Sequence, residues 1–153
     1  MTVGVGAQQT AQRCAEIMWA DDNASKALGM RLVDVAPGRA TLQMTVREDM
    51  VNGHGIGHGG LTFTLADSAF AFACNSYNRR TVAQSCQVTF LAPTRLGETL
   101  TAEAVERSRE GRDGVYDVTV RNGETVVARF VGHSKEVRGS FFDPDPDTHE
   151  ERR

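Results

Sequence analysis

A basic excess, a long apolar run and a paired set of cysteines are all missing from this sequence. Seventeen Lys and Arg stand against twenty Asp and Glu, a net charge of −3, so no positive field is available to hold nucleic acid or an anionic membrane surface. No stretch reaches the roughly 18 consecutive apolar residues of a membrane span. The opening MTVGVGAQQTAQR has no basic segment leading into an apolar one, so it does not read as a secretory leader. Three cysteines, Cys14, Cys74 and Cys86, are an odd number at scattered spacings. Such spacing points to reduced thiols in the cytoplasm rather than a disulfide framework. Internal repeats and a domain linker are missing too. With 40% hydrophobic and 24% charged residues, the composition is that of an ordinary globular chain. The expectation is one domain over 1–153, with its core at about 10–137 and a flexible tail from 138.

What is present divides by periodicity. Residues 8–20 suit a moderately amphipathic helix, and the following DDNASKALG punctuates the chain with Asp, Asn and Gly. MRLVDVAP and GRATLQMTVRED alternate apolar and polar residues around Pro-Gly, the pattern of a hairpin. From Arg79 the period is two through four further strands, with Asn122-Gly123 as a hairpin turn. Between these halves lies LTFTLADSAFAFACNSY, a helix apolar on nearly every side. Such a helix must be covered all round. One antiparallel sheet of about six strands can curl around it without closing over it, and a second subunit would complete the cover.

Chemistry concentrates at the entrance to that helix. NGHGIGHGG, residues 52–60, holds five glycines, two histidines and Asn52. Gly59 and Gly60 stand at the helix start, where free N–H groups and the positive end of the helix dipole favour an anion. An oxyanion formed in acyl transfer is one such anion, and a flexible turn opening a helix is the plain alternative. Asp67 is the only charged residue between His58 and Arg79. It lies about two turns inside the helix, too deep to serve the N-terminal dipole. Burial would leave its carboxylate more basic than one in water, suited to act as general base or nucleophile. Satisfaction by the Thr64 or Ser68 hydroxyl is the structural alternative. Gly59 and Asp67 are eight residues apart, about 12 Å along a helix. One carbonyl carbon cannot lie within about 3 Å of both in a single chain. If both serve one reaction, they come from two subunits paired antiparallel across a twofold axis.

NGHGIGHGG followed by LTFTLADSAFAFACN closely resembles the phenylacetic-acid-degradation thioesterases of the hotdog fold, the PaaI family. The resemblance extends over about residues 10–136 and includes LGMRLVDVAPGRATLQMTV and FLAPTRLGETLTAEA. It implies an α+β hotdog fold, a curved antiparallel sheet wrapped around a long central helix at about 59–77, with an N-terminal helix added. It implies a homodimer at minimum and a homotetramer, a dimer of dimers, as the full assembly. By the same resemblance the Gly59 amide polarises a thioester carbonyl and Asp67 is the catalytic carboxylate. Asn52 and His58 fix the carbonyl, the nucleophilic water or the loop itself, and Gly60 and Pro93 border the substrate. Some hotdog thioesterases carry a hydroxyl one turn after the carboxylate. Here that residue is Ala71, so the part falls to Ser68, Gln84 or Ser85 or is missing.

Other features carry weaker chemistry. His54 and His58 are four apart, but the glycines between them argue against a helix, so no metal site is expected. Cys74 and Cys86 sit in apolar patterns without a partner base and read as core. Phe63, Phe70, Phe72 and Phe90 are core candidates, with Phe90 also placed to line an acyl pocket. Arg95, Arg107, Arg109, Arg112 and Lys135 are either solvated strand faces or a cradle for coenzyme A phosphates, and Ser134 is a candidate contact for the pantetheine arm. The resulting expectation is hydrolysis of phenylacetyl-CoA or a ring-hydroxylated relative. No cofactor is needed beyond the coenzyme A of the substrate. The rivals are a hotdog hydratase or dehydratase, which carries a proline-rich rather than glycine-rich loop, and a non-catalytic acyl-CoA sensor.

Overall fold

The computed structural model describes residues 5–143. The chain runs α1 (Val5–Asp21), α2 (Asn23–Ala27), β1 (Arg31–Ala36), β2 (Arg39–Thr45), a 3-10 turn at Glu48–Met50, α3 (Gly59–Cys74), β3 (Thr81–Phe90), β4 (Thr99–Glu110), β5 (Asp113–Asn122) and β6 (Thr125–Glu136). The strands form one sheet in the order β1-β2-β4-β5-β6-β3, every neighbour antiparallel. The α3 helix carries the chain from β2 across the sheet, so β3 joins at the far edge beside β6. No helix among the described residues is long and apolar enough to cross a membrane.

Alternation builds the core. Ala40, Leu42 and Met44 of β2, Leu100, Ala102 and Ala104 of β4, Tyr116, Val118 and Val120 of β5, and Ala128 and Phe130 of β6 are all buried. Each large apolar side chain so enclosed contributes about 1.5–3 kcal/mol relative to exposure. Small residues let the helix approach. A Cβ on Gly132 would stand 2.7–2.8 Å from the Phe70 ring, so only a bare backbone admits α3 this close. Phe70 in turn packs at 5.6 Å from Tyr116 and 5.8 Å from Phe130, centroid to centroid.

Four local expectations are revised. The DDNASKALG stretch is not only a turn: Asp22 accepts from the Ser25 amide at 2.9 Å and caps the short α2. The central helix ends at Cys74, short of 77, because the Asn75 side chain bonds Ala71 O and both backbone groups of Thr81, turning the chain into β3. Asn122 pairs with Thr125 as the last residue of β5, so the turn is Gly123-Glu124, with Gly123 at φ 58. Of the expected tail, Phe141 and Phe142 are bonded to Asn78, whose Oδ1 accepts from both amides while its Nδ2 donates to Phe142 O. Residues 144–153 lie outside the described part.

One face of α3 is only partly covered. Gly60 is exposed, and Phe63, Thr64, Asp67 and Ala71 on the same stripe are half-buried, whereas Leu65, Ala66, Ala69 and Ala73 are fully enclosed. The edge strand β3 is exposed along most of its length, including Val82 and Phe90.

Candidate active site

The glycine loop is held by its own backbone and by one side chain. Asn52 N donates to Ile56 O at 2.8 Å, and Asn52 Oδ1 accepts from His54 N at 2.9 Å and more weakly from Ile56 N at 3.4 Å. With Oδ1 turned to the loop, Asn52 Nδ2 is left as a donor beside the cleft that Asn52 lines. Gly57 N donates to Thr94 O at 2.7 Å, so close that a Cβ on Gly57 would overlap Thr94 Oγ1 at 1.9 Å. His58 is the N-cap of α3, with its Nδ1 accepting from Gly60 N at 2.9 Å.

That cap decides which amide is free. The Gly60 donor is taken by His58, and the next two, Leu61 N and Thr62 N, turn to His58 O. The Gly59 N–H meets no acceptor among the described residues. It stands at the positive end of a sixteen-residue helix, where a developing oxyanion is most stabilised. A Cβ on Gly59 would press the Phe90 ring at 3.0–3.4 Å, so the ring lies directly against this amide's residue. Asn52, Gly59, Phe90 and Pro93 share a largely apolar cleft of about 390 Å³ with Ile56, Thr62 and Val127.

Asp67 stands further along α3, half-buried. Neither hydroxyl of the structural alternative satisfies it: Thr64 Oγ1 donates to Gly60 O at 2.8 Å, and Ser68 Oγ pairs with Ser25 Oγ at 2.9 Å. Burial alone raises the Asp67 carboxyl above its ordinary value. The thiols of Cys74 and Cys86 lie within reach of its charge. Burial, and secondarily Asp67, pushes Cys74 up to about 12 and raises Cys86 as well, so both remain protonated and poor nucleophiles at neutral pH.

Arg109, Arg112 and Ser134 come together elsewhere, in a cavity of about 220 Å³ at the C-terminal end of α3. Ser134 is only 3% exposed, and its Oγ would meet a Cβ on Gly114 at 2.6 Å. Two residues passed over in the sequence shape this cavity. Tyr77 and Tyr116 both donate to Glu106 Oε1, at 2.9 and 3.1 Å, and Arg109 lies 3.5 Å over the Tyr77 ring. Burial first, and the bond to Glu106 second, push Tyr77 up to about 12. The signal was present: Glu106 follows Leu100, Ala102 and Ala104 at the next inward position of β4, a charge breaking an apolar alternation. Gln84, Ser85 and Arg95 are exposed and line neither space; Gln84 is the unpaired residue of a bulge in β3.

The α3 helix thus presents a free amide beside an apolar cleft and, further along, a carboxylate that no donor among the described residues reaches. Residues 54–128 match the model of the thioesterase superfamily. The acyl-coenzyme A thioesterase PaaI of Escherichia coli K12 is 44% identical over 108 residues, 71% of this chain and 77% of that protein. The chain belongs to the thioesterase superfamily. A solved structure of E. coli PaaI, from the phenylacetic acid degradation operon, superposes with a TM-score of 0.86 at 41% identity, covering 88% of this chain and 98% of that one. A Streptococcus mutans protein solved bound to acetyl-CoA is 25% identical with a TM-score of 0.69, covering 72% of this chain and 90% of that one. The hotdog fold expected from the sequence is therefore the fold of this thioester hydrolase.

Proposed function

We propose that this thioesterase hydrolyses acyl-CoA, with phenylacetyl-CoA or a ring-hydroxylated phenylacetyl-CoA as substrate, in phenylacetate degradation in the cytoplasm. The observation that carries the reading is the division of labour at the start of α3, where His58 occupies the Gly60 amide and leaves the Gly59 amide free. The substrate class is supported by the name and operon of the E. coli relative and by the acetyl-CoA in the S. mutans structure.

In this reading the Gly59 N–H, backed by the helix dipole, polarises the thioester carbonyl. Asp67 then acts in one of two ways. It attacks the carbonyl carbon and expels the coenzyme A thiolate, leaving an anhydride that water opens. Alternatively it takes a proton from water as that water attacks. Either route consumes one water and yields a carboxylate and free coenzyme A. The Asn52 Nδ2 donor borders the same cleft, and Phe90 with Pro93 forms its apolar wall for the acyl group. Arg109, Arg112 and Ser134 are assigned to the coenzyme A moiety, Arg95 to its phosphates nearer the surface, and Gln84 or Ser85 to the attacking water.

The separation of Gly59 from Asp67, about 12 Å along one helix, requires the two to serve from different subunits. A homodimer is thus the minimal active unit, and a tetramer of two dimers the proposed assembly. The half-covered stripe of α3 that includes Asp67 and the exposed edge of β3 support a second copy at this face. Thiol release from phenylacetyl-CoA, followed with a thiol reagent for wild type and Asp67→Ala, tests the reading. Turnover in wild type and its loss in a still-folded mutant are the expected results. Binding without turnover in the wild type would replace the enzyme with an acyl-CoA sensor.

A further inference from the structure

The inner face of β3 keeps step with α3. Phe90, Val88 and Cys86 alternate toward the helix, the first against Gly59 and the other two packed on the core. From Phe90 to Cys86 is four residues of strand, about 13 Å. From Gly59 to Asp67 is eight residues of helix, about 12 Å. The strand runs opposite to the helix, so Cys86 comes level with Asp67. The electrostatics agree, because the Asp67 charge acts on the Cys86 thiol, second only to burial.

Every other group that faces this place is apolar or already engaged. On β6 the residue paired with Cys86 is Gly132, which has no side chain and lies under the Phe70 ring. On β5 the Tyr116 hydroxyl donates to Glu106. On α3 itself Cys74 is a buried thiol, Thr64 is bonded to Gly60 O, and Ser68 is bonded to Ser25. Asp22 of the α2 cap reaches this side of the helix only through Ser25. Apart from Ala71, one turn along α3 itself, the side chain at this level whose exchange would bring a strong donor to the carboxylate is Cys86 of the facing strand.

We propose that Cys86 is a positioning residue for Asp67: its thiol fills the place from which a hydroxyl would hydrogen-bond the carboxylate, and so keeps the carboxylate lone pairs free for the thioester or for the attacking water. The inference rests on Asp67 acting in thioester hydrolysis. A thiol suits the task because it matches a serine closely in shape yet donates weakly. Held protonated by its surroundings, it also adds no second negative charge beside the carboxylate.

The test compares Cys86→Ser with Cys86→Ala in the full chain. Two readouts are used: the pH profile of kcat/KM on phenylacetyl-CoA, and the carboxyl ¹³C NMR titration of Asp67, which needs no turnover. In Cys86→Ser the acid limb and the Asp67 titration both move to lower pH. Its kcat falls about three- to tenfold, the effect of one added hydrogen bond that must be broken. In Cys86→Ala neither midpoint moves downward. An unmoved Asp67 titration in Cys86→Ser, with Asp67→Ala inactive, would overturn this inference alone. Equal downward movement in Cys86→Ala would overturn it too, since an added donor would then not be the cause. Turnover that survives Asp67→Ala would remove the catalytic reading and this inference together.

Discussion

At its N-terminal end α3 is organised mainly by backbone, with Asn52 and His58 as the side chains that take part, and at its C-terminal end by side chains. Before Gly59 the loop closes through main-chain bonds such as Asn52 N to Ile56 O and Gly57 N to Thr94 O, with glycines where the chains touch. After Cys74 the helix is tied down by Asn75, by Ser76 accepting from Gly38 N, and by Tyr77 on Glu106. The first end leaves an amide free beside an apolar cleft. The second leaves a small cavity edged by Arg79, Arg109 and Arg112. In the proposed mechanism the difference lets one helix serve two tasks: an unpaired amide suits charge that develops in the reaction, while guanidinium groups suit charge that arrives already formed.

Removing the carboxylate should break the comparison most severely, because both ends then serve no chemistry. Asp67→Ala is expected to cut kcat about 10³-fold, within the usual range for a general base, with the fold retained by circular dichroism. Next comes the amide. Gly59→Ala drives a methyl into the Phe90 ring, and the displaced N–H should cost about 10- to 100-fold in kcat, less than full loss of an oxyanion donor. Phe90→Ala in the same chain should restore part of that loss; no restoration would show that the ring is not what the methyl displaces.

Gly57→Ala sharpens the structural half of the contrast. Its methyl overlaps Thr94 Oγ1, and thermal melts should show destabilisation of about 1–3 kcal/mol. At the other end Arg109→Ala should raise KM a few-fold for acyl-CoA, by about 1 kcal/mol, yet leave acyl-pantetheine substrates unchanged. Equal effects on both would take the arginine away from the phosphates.

The smallest effect concerns pH. Because the folded carboxyl of Asp67 is raised, the native state holds this proton more tightly than the unfolded chain does. Its contribution to stability therefore falls as pH rises from the unfolded value through the folded one. Asp67→Asn should melt no lower than wild type at neutral pH and relatively higher there than in acid. In activity the proposed role of Asp67 gives the opposite sign, with the carboxylate as the working form: turnover should fail on acidification at a pH above the ordinary carboxylate value of 3.8.

Much of this was legible along the chain because the signals are local. Alternation placed the strands, all-round apolarity placed α3, Gly59 and Asp67 stood out by position and by the lone charge, and Asn52 and His58 by the family resemblance. Glu106 was legible but unread, a charge on the inward side of β4. The bond that disarms Ser68 was not legible, since Ser25 lies 43 residues away and nothing in either stretch announces the other, whereas the Thr64 bond to Gly60 O is a local one within the helix that went unread.

By itself the sequence determined the order of helices and strands, the antiparallel sheet and the residues able to carry acyl-transfer chemistry, because period and residue type act over a few neighbours. Tertiary structure alone decided that the Phe90 ring lies against Gly59 and that the Ser68 hydroxyl is spent on Ser25, and in the inference above it brings Cys86 level with Asp67. Those outcomes depend on how a strand and a helix with different rises per residue come to lie side by side, and no local pattern records that distance.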